Sequence, residues 1–173
     1  MTTSSVARSA KEALSYARSE DDVMRAARQA TAIADPPTRM DVLGDAAVKF
    51  SDRGIVEAAE HALTPFEDYL EPIPRSIKLF VNSYGVLRSL RTLEEIFVPS
   101  GPLALWTVVE TRWPHLADLL RAHPDAITNE ATDKVAQDEI DRLRQDREIA
   151  RVLIDEVADP LTPDLIRQCS GAL

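Results

Sequence analysis

Residues 70–95 read LEPIPRSIKLFVNSYGVLRSLRTLEE, and they predict the central helix of the protein. Pro74 is favourable in the first turn of a helix, because the N–H that proline lacks would have no partner there. Apolar residues then recur at the spacing of one helix face. They are Ile77, Phe80, Val81, Tyr84 and Leu87. A long amphipathic helix is therefore expected to begin at Pro74.

Helix signals continue on both sides of this stretch. Ser19 precedes three acidic residues, a pattern typical of a helix start, and DPP at 35–37 predicts a helix break. Long alternating Val/Ile/Thr runs are absent. The sequence therefore predicts an all-α protein, an irregular multi-helix domain followed by a short C-terminal helical segment.

Three sections are expected along the chain. The main helical domain covers residues 1–124. The polar stretch 125–148 is either a linker or a solvated helix of mixed charge. Residues 149–173 form a C-terminal helical tail, with a helix pair centred near Ile149 and Leu165. The side chains expected to form the core are Phe80, Tyr84, Leu105, Trp106, Val109 and Trp113.

Composition excludes several classes of function. The formal net charge is −9 and the pI about 4.8, whereas nucleic-acid binding usually leaves a basic surface. No apolar run reaches the roughly 18 residues of a membrane span, and the N-terminus has no signal-peptide core. The single cysteine, Cys169, excludes an intramolecular disulfide. We expect a cytoplasmic chain with no nucleic-acid or membrane partner.

The motifs of common enzymes are missing. A phosphate-binding loop needs two glycines five positions apart followed by Lys and Ser or Thr. No pair of glycines in the chain has that spacing. The histidines, His61, His115 and His123, form no zinc-binding H-E-x-x-H pair. We therefore expect no catalytic residues, no metal site, no cofactor and no autonomous nucleotide hydrolysis.

One polar face is a candidate site. Arg75, Lys78 and Asn82 fall at i, i+3 and i+7 on the predicted helix, opposite its apolar stripe. Two cations and an amide near a helix N-terminus can bind an anion such as a phosphate. An ordinary solvated face has the same pattern, so both interpretations stay open.

The same residues carry a family resemblance. EPIPRSIKLFVNSY (71–84) resembles the segment after the catalytic core in KAP-type P-loop NTPases of the STAND/AAA+ group. LALWTVVETRWPHLADLLRAHPDAI (103–127) resembles the next family segment, and DLIRQCSGAL (164–173) resembles the C-termini of actinobacterial relatives. The similarity covers about residues 51–125 and the tail.

This resemblance implies that the chain is like the lid and post-lid region of such an NTPase, without the NTPase core. In AAA+-like proteins an arginine early in a lid helix can sense the terminal phosphate of the nucleotide. Arg75 matches that position, and Lys78 and Asn82 match neighbouring ones. Leu79 departs from the pattern, because relatives often have a second basic residue there. A surviving sensor would be exposed and unpaired, whereas a purely structural Arg75 would pair with a carboxylate such as Glu71.

The sequence therefore predicts a non-catalytic interaction or regulatory module of bacterial type. Its partner would be a protein, either an ATPase or a second copy of the chain. One alternative is a lid subunit that supplies Arg75 in trans to a separate ATPase core. Others are a small DNA-binding regulator, since AAA+-like chains can carry winged-helix domains in this region, and a folded gene remnant with no dedicated task.

Overall fold

The computed structural model describes residues 3–70, 72–128, 133–154 and 160–171, and these residues form an all-α protein with no strand among them. The predicted fold class is confirmed. The α-helices of the described residues are α1 Thr3–Tyr16, α2 Glu20–Ala30, α3 Pro36–Lys49, α4 Arg53–Leu63, α5 Pro74–Leu93, α6 Ser100–Arg112, α7 Pro114–Ala122, α8 Lys134–Leu143, α9 Arg147–Leu153 and α10 Pro163–Ser170. Two 3₁₀ helices cover Thr64–Tyr69 and Pro124–Thr128. Within the same ranges, no helix is both long enough and apolar enough to cross a bilayer.

Side-chain caps fix the starts of α2 and α3. Ser19 Oγ accepts a hydrogen bond from the backbone N–H of Asp22 at 3.2 Å. The Asp35 carboxylate accepts one from the backbone N–H of Thr38 at 3.0 Å. These bonds satisfy N–H groups that have no partner inside the first turn. The two prolines after Asp35 lie in the first turn of α3, so the predicted break also starts the next helix.

The first of two compact units comprises Met1–Thr64 and Gly85–Phe97. Helices α1, α2 and α3 pack against one another in it, and α4 packs against α2. Many of the packed side chains are alanines, and small residues allow helices to approach closely. The apolar stripe of α2 is buried, as the periodicity indicates. It consists of Val23, Met24, Ala27, Ala30 and, just after the helix, Ile33.

The second unit comprises Pro65–Tyr84 and Val98–Leu173. Its central element is α6, in which every residue from Pro102 to Val109 is buried. Helices α7 and α10 pack against it. A helix that is buried on all sides is apolar all round, which explains why α6 shows no single apolar stripe.

Five of the six predicted core residues are buried, namely Phe80, Tyr84, Leu105, Trp106 and Val109. Trp113, the sixth, is of intermediate exposure and lies at the edge of this buried set. Trp113 lies at the turn between α6 and α7. There the Arg112 guanidinium covers the ring, 4.9 Å from its centroid.

The C-terminal helices belong to the second unit. Cys169 on α10 lies with its Sγ 3.8 Å from the Pro102 carbonyl oxygen, and Arg167 pairs with Asp125 at 2.7 Å. These contacts join α10 to α6 and to the second 3₁₀ helix. The division into three sections stays a prediction.

The polar stretch 125–148 contains α8. The Asp133 carboxylate caps this helix and accepts a hydrogen bond from the backbone N–H of Val135 at 2.9 Å. Ala136 and Ile140 are buried on its inner face, so α8 is an amphipathic helix with one solvated side. Residues 129–132 lie outside the described ranges. Helices α9 and α10 lie at the predicted positions of the C-terminal pair.

Helix α5 contributes to both units, Pro74–Tyr84 to the second and Gly85–Leu93 to the first. It ends in a Schellman motif. The N–H of Ile96 bonds to the Arg91 carbonyl at 2.8 Å, and the N–H of Glu95 to the Thr92 carbonyl at 3.1 Å. This motif needs a left-handed residue, and Glu95 supplies it with a φ of 61°.

Candidate functional site

The predicted polar face lies on the outside of α5. Arg75, Lys78 and Asn82 are all exposed, whereas Phe80 and Tyr84 on the opposite side are buried. At 3.6 residues per turn, the three polar residues fall within about 60° of one another around the helix axis. The structure therefore brings together the three residues selected from the spacing.

The two cations of this face have no partner among the described residues. Neither Arg75 nor Lys78 lies within 4.0 Å of a carboxylate of that part of the chain. Glu71, the partner expected for a structural Arg75, lies outside the described ranges. Arg75 therefore has the exposure expected of a binding residue, and its anion-binding role stays a prediction.

A cleft of about 260 Å³ lies beside this face. We call it the α5 cleft, and its lining residues are Leu70, Ser76, Leu79, Thr111 and Arg112. Ser76 and Leu79 each follow one of the exposed cations in the sequence. A step of one residue turns the helix by 100°, so Arg75 lies on the side of α5 next to the cleft and Lys78 lies about 60° further round the helix.

The far wall of the cleft is held in place by Arg112. Its guanidinium donates to the carbonyl oxygen of Tyr69 and pairs with Glu148 at 2.5 Å. The same group stacks on Trp113. These contacts connect α6 with α9 and with the first 3₁₀ helix. The Glu148 carboxylate compensates the positive charge of Arg112. Arg75 and Lys78, by contrast, have no carboxylate within 4.0 Å in the part of the chain that the structure describes.

Thr111 is also fixed in the wall of the cleft. Its hydroxyl donates to the Thr107 carbonyl at 2.8 Å, one turn back in α6. The hydroxyl oxygen of Thr111 can still accept a hydrogen bond from a group in the cleft. Leu79, by contrast, is 56% exposed, which makes it the most accessible apolar surface of the cleft. The cleft thus combines an open apolar side with a wall of fixed polar groups.

Other titratable groups form no comparable site. His115 lies 3.6 Å from Glu139, and His123 lies 3.7 Å from Asp133, both near the protein surface. The side chain of His61 is not among those described. Across the described ranges, no three His, Cys, Asp or Glu side chains gather in a way that could hold a metal ion.

Sequence reasoning missed the cleft residues Leu79, Thr111 and Arg112 as parts of a site. The sequence does contain an indication for Leu79, because an apolar residue within an otherwise polar helix face indicates a possible binding surface. Thr111 and Arg112 had none, since their position beside α5 depends on how α6 packs in the second unit.

Helix α5 also carries two buried arginines in its C-terminal half. Arg88 and Arg91 are 1% and 4% exposed. Arg88 pairs with Glu20 at 2.6 Å, and Arg91 pairs with Glu94 at 2.7 Å. These cations serve the packing of the first unit, unlike the pair beside the cleft.

No protein-family model, no curated protein and no solved structure matches this chain. The resemblance to KAP-type NTPases therefore stays a prediction that rests on the motifs at 71–84 and 103–127.

Proposed function

We propose that this chain is a non-catalytic interaction module that binds another protein through the outer face of the N-terminal half of α5. One observation carries the proposal. Arg75 and Lys78 are exposed, have no carboxylate partner among the described residues, and lie on the face of α5 that adjoins a cleft whose edge is the exposed Leu79. Arginine is enriched at protein-binding surfaces, and the exposed Leu79 adds apolar surface next to Arg75.

The charge of the second unit favours a protein over a nucleic acid. This unit has ten basic and seventeen acidic residues, a formal charge of −7. A nucleic acid would have to approach an acidic body through two local cations, whereas phosphate binding usually needs a broad basic surface. A protein segment can present one or two carboxylates to these cations and keep the rest of its surface away.

The proposal is tested by photo-crosslinking in cells that produce the chain. A photoreactive phenylalanine analogue replaces Leu79 in one variant and Val135 in the other, since Val135 on α8 is also exposed, at 78%. We expect a crosslinked protein partner from position 79 that position 135 does not give. Adding Arg75→Glu and Lys78→Glu should remove it. The same products from both positions, or none from position 79, would refute the proposal.

A second measurement tests the non-catalytic part. Purified chain with ATP or GTP and magnesium should release no more phosphate than a heat-treated control. The physical reason is that the sequence offers no loop of backbone N–H groups to hold the transferring phosphoryl group. Turnover that follows the purified protein through a sizing column would show that the chain is an enzyme.

The second candidate function is a lid subunit that supplies Arg75 in trans to a separate ATPase, as the KAP-type resemblance implies. The exposure of Arg75 in the first turn of α5 favours it, because the positive end of the helix dipole lies at that turn. A non-hydrolysable nucleotide is titrated into the candidate ATPase with wild-type chain and with Arg75→Ala. Tighter binding with wild type alone would support this role, and equal affinities would exclude it.

A further inference from the structure

We infer that the α5 cleft takes an apolar side chain of an acidic protein segment, whose carboxylates pair with Arg75 and Lys78. The inference rests on the proposed function and names the chemistry of its partner. The occupant is a segment of a different protein.

The size and lining of the cleft favour a side chain over a small-molecule ligand. At about 260 Å³, the cleft falls below the roughly 300–1,000 Å³ of pockets that enclose a drug-sized ligand. Leu70 and Leu79 supply apolar surface, while the hydroxyls of Ser76 and Thr111 can accept hydrogen bonds from a backbone N–H. Such a lining suits one apolar side chain together with the peptide backbone that carries it.

The positive charges beside the cleft favour a segment with negative charge. Arg112 pairs with Glu148, whereas Arg75 and Lys78 have no carboxylate within 4.0 Å among the described residues. Their Cα atoms are separated by three residues of helix, a rise of about 4.5 Å. Two carboxylates one helical turn apart, or on alternate residues of an extended strand, can reach both cations. A basic segment would be repelled there.

The net negative charge of the second unit also affects which segments can bind. With a formal charge of −7, this unit repels acidic segments on average, so such a segment is expected to bind only next to exposed cations. Complementary charges set orientation and association rate more than total affinity. The apolar side chain in the cleft must therefore supply a large share of the binding free energy.

The test uses fluorescence anisotropy with the full chain and short labelled peptides. The main probe has two leucines flanked on both sides by glutamates. One comparison peptide replaces the glutamates with lysines, and another replaces the leucines with serines. We expect binding of the main probe that weakens with added salt, and at least about tenfold weaker binding of both comparison peptides. A labelled single-stranded oligonucleotide and a labelled ATP analogue serve as the other ligand classes.

Variants locate the binding. Arg75→Glu/Lys78→Glu should weaken the main probe at least about tenfold, and Leu79→Gln about three- to tenfold. All three residues are exposed, so the circular dichroism spectrum should not change. The matched controls are Lys134→Glu and Val135→Gln on α8, an exposed cation and an exposed apolar residue outside the cleft. Both should bind like wild type.

Several outcomes would overturn the inference: no binding of the main probe, equal binding of the lysine peptide, tighter binding of the oligonucleotide or the ATP analogue, or full affinity in the double variant. The crosslinking experiment separates the two failures. A partner crosslinked at position 79 together with failed peptide binding would overturn the acidic-segment assignment alone. No crosslink at that position would overturn the proposed function as well.

Discussion

The two halves of α5 carry the same kind of charge in opposite surroundings. In the N-terminal half, Arg75 and Lys78 are exposed and have no described carboxylate partner. In the C-terminal half, Arg88 and Arg91 are almost fully buried and paired. A buried charge is tolerated only when an opposite charge and hydrogen bonds compensate for the lost water. Water compensates the charges of the first half, whereas the carboxylates of Glu20 and Glu94 compensate those of the second.

The difference separates structural cations from candidate binding cations. A cation that the fold has already neutralised offers little to a partner, because its own carboxylate competes. A solvated cation beside an apolar surface can gain free energy when a partner carboxylate arrives and water leaves. Burial and pairing therefore distinguish the two roles, although residue type does not.

The largest effect should come from breaking the buried pair of the C-terminal half. Glu20→Ala removes the carboxylate that lies 2.6 Å from Arg88. It leaves a guanidinium that is 2% exposed without that carboxylate. We expect unfolding free energy to fall by about 3–5 kcal/mol, measured by urea denaturation with circular dichroism. A loss below about 1 kcal/mol would mean that Arg88 is hydrated or readily finds another partner.

A double substitution shows whether this loss comes from the stranded charge. Arg88→Met combined with Glu20→Gln replaces both ions by uncharged groups of similar length. We expect it to recover most of the stability lost in Glu20→Ala, because replacing a buried pair often costs little. A double variant as unstable as Glu20→Ala would show that the pair itself stabilises the first unit.

An effect of similar size should arise in the second unit from apolar burial alone. Trp106 is fully buried, and Trp106→Ala should cost about 3–5 kcal/mol. The fluorescence of Trp113, the other tryptophan of the chain, reports unfolding of the same unit. A loss under 1 kcal/mol would indicate that the side chain is accessible to solvent. Together with Glu20→Ala, this variant compares charge pairing with apolar packing as sources of stability.

A smaller effect, of opposite sign, is expected where the two halves of α5 join. Gly85 lies inside the helix, and a Cβ built on it has no atom within 4 Å. Gly85→Ala should therefore stabilise the protein by about 0.5–1 kcal/mol, since alanine loses less conformational entropy on helix formation. The control is Gly44→Ala on α3, where a Cβ also meets nothing. Stabilisation at position 44 with destabilisation at position 85 would show that the junction requires glycine.

Acid should destabilise the first unit through two helix caps. Hydrogen bonds from the Thr38 hydroxyl and N–H lower the pKa of Asp35 from its ordinary value of 3.8. Those from the Arg18 N–H and from Ser19 lower the pKa of Asp22. A lowered pKa in the folded state gives stability that is complete above the ordinary pKa and lost as pH falls below it. We expect lower urea midpoints at pH 3 than at pH 5.

Asp35→Asn is the matched variant, because asparagine keeps the cap but does not titrate. Its urea midpoint should change less between the two pH values than that of wild type. An equal change in both proteins would show that Asp35 is not one of the groups responsible.

The smallest effect is expected in the N-terminal half of α5. Arg75→Ala and Lys78→Ala should each change the free energy of unfolding by less than about 0.5 kcal/mol, because exposed residues without partners contribute little. The measurement is the same urea titration used for Glu20→Ala. A loss above 1 kcal/mol for Arg75→Ala would indicate a structural pair, with Glu71 the first partner to test.

Local chemistry made the helices predictable. Ser19 caps α2, and Pro74 starts α5, because the first turn of any helix has the same unsatisfied N–H groups. Tertiary contacts decided what sequence reasoning missed. The burial of Arg88 depends on a carboxylate in another helix. The intermediate exposure of Trp113 likewise depends on how α6 and α7 pack at the turn between them.

The candidate site also has one part that the local sequence predicts and another that only tertiary packing determines. The spacing of Arg75, Lys78 and Asn82 fixes them on one face of α5, and exposure of that face follows from the apolar stripe opposite. The cleft could not be predicted, since Thr111 and Arg112 come from α6 and reach it only through packing. The sequence therefore predicted the charged residues but not the apolar cleft next to them.

The shared helix also shapes how the protein is made. The chain leaves the first unit after Thr64, returns to it at Gly85 and leaves again after Phe97. At roughly 5–20 residues per second on the ribosome, Glu20 is synthesised several seconds before Arg88 exists. The surface of the early helices that packs against α5 therefore stays exposed until α5 has left the exit tunnel. During that time chaperones or neighbouring nascent chains can bind it.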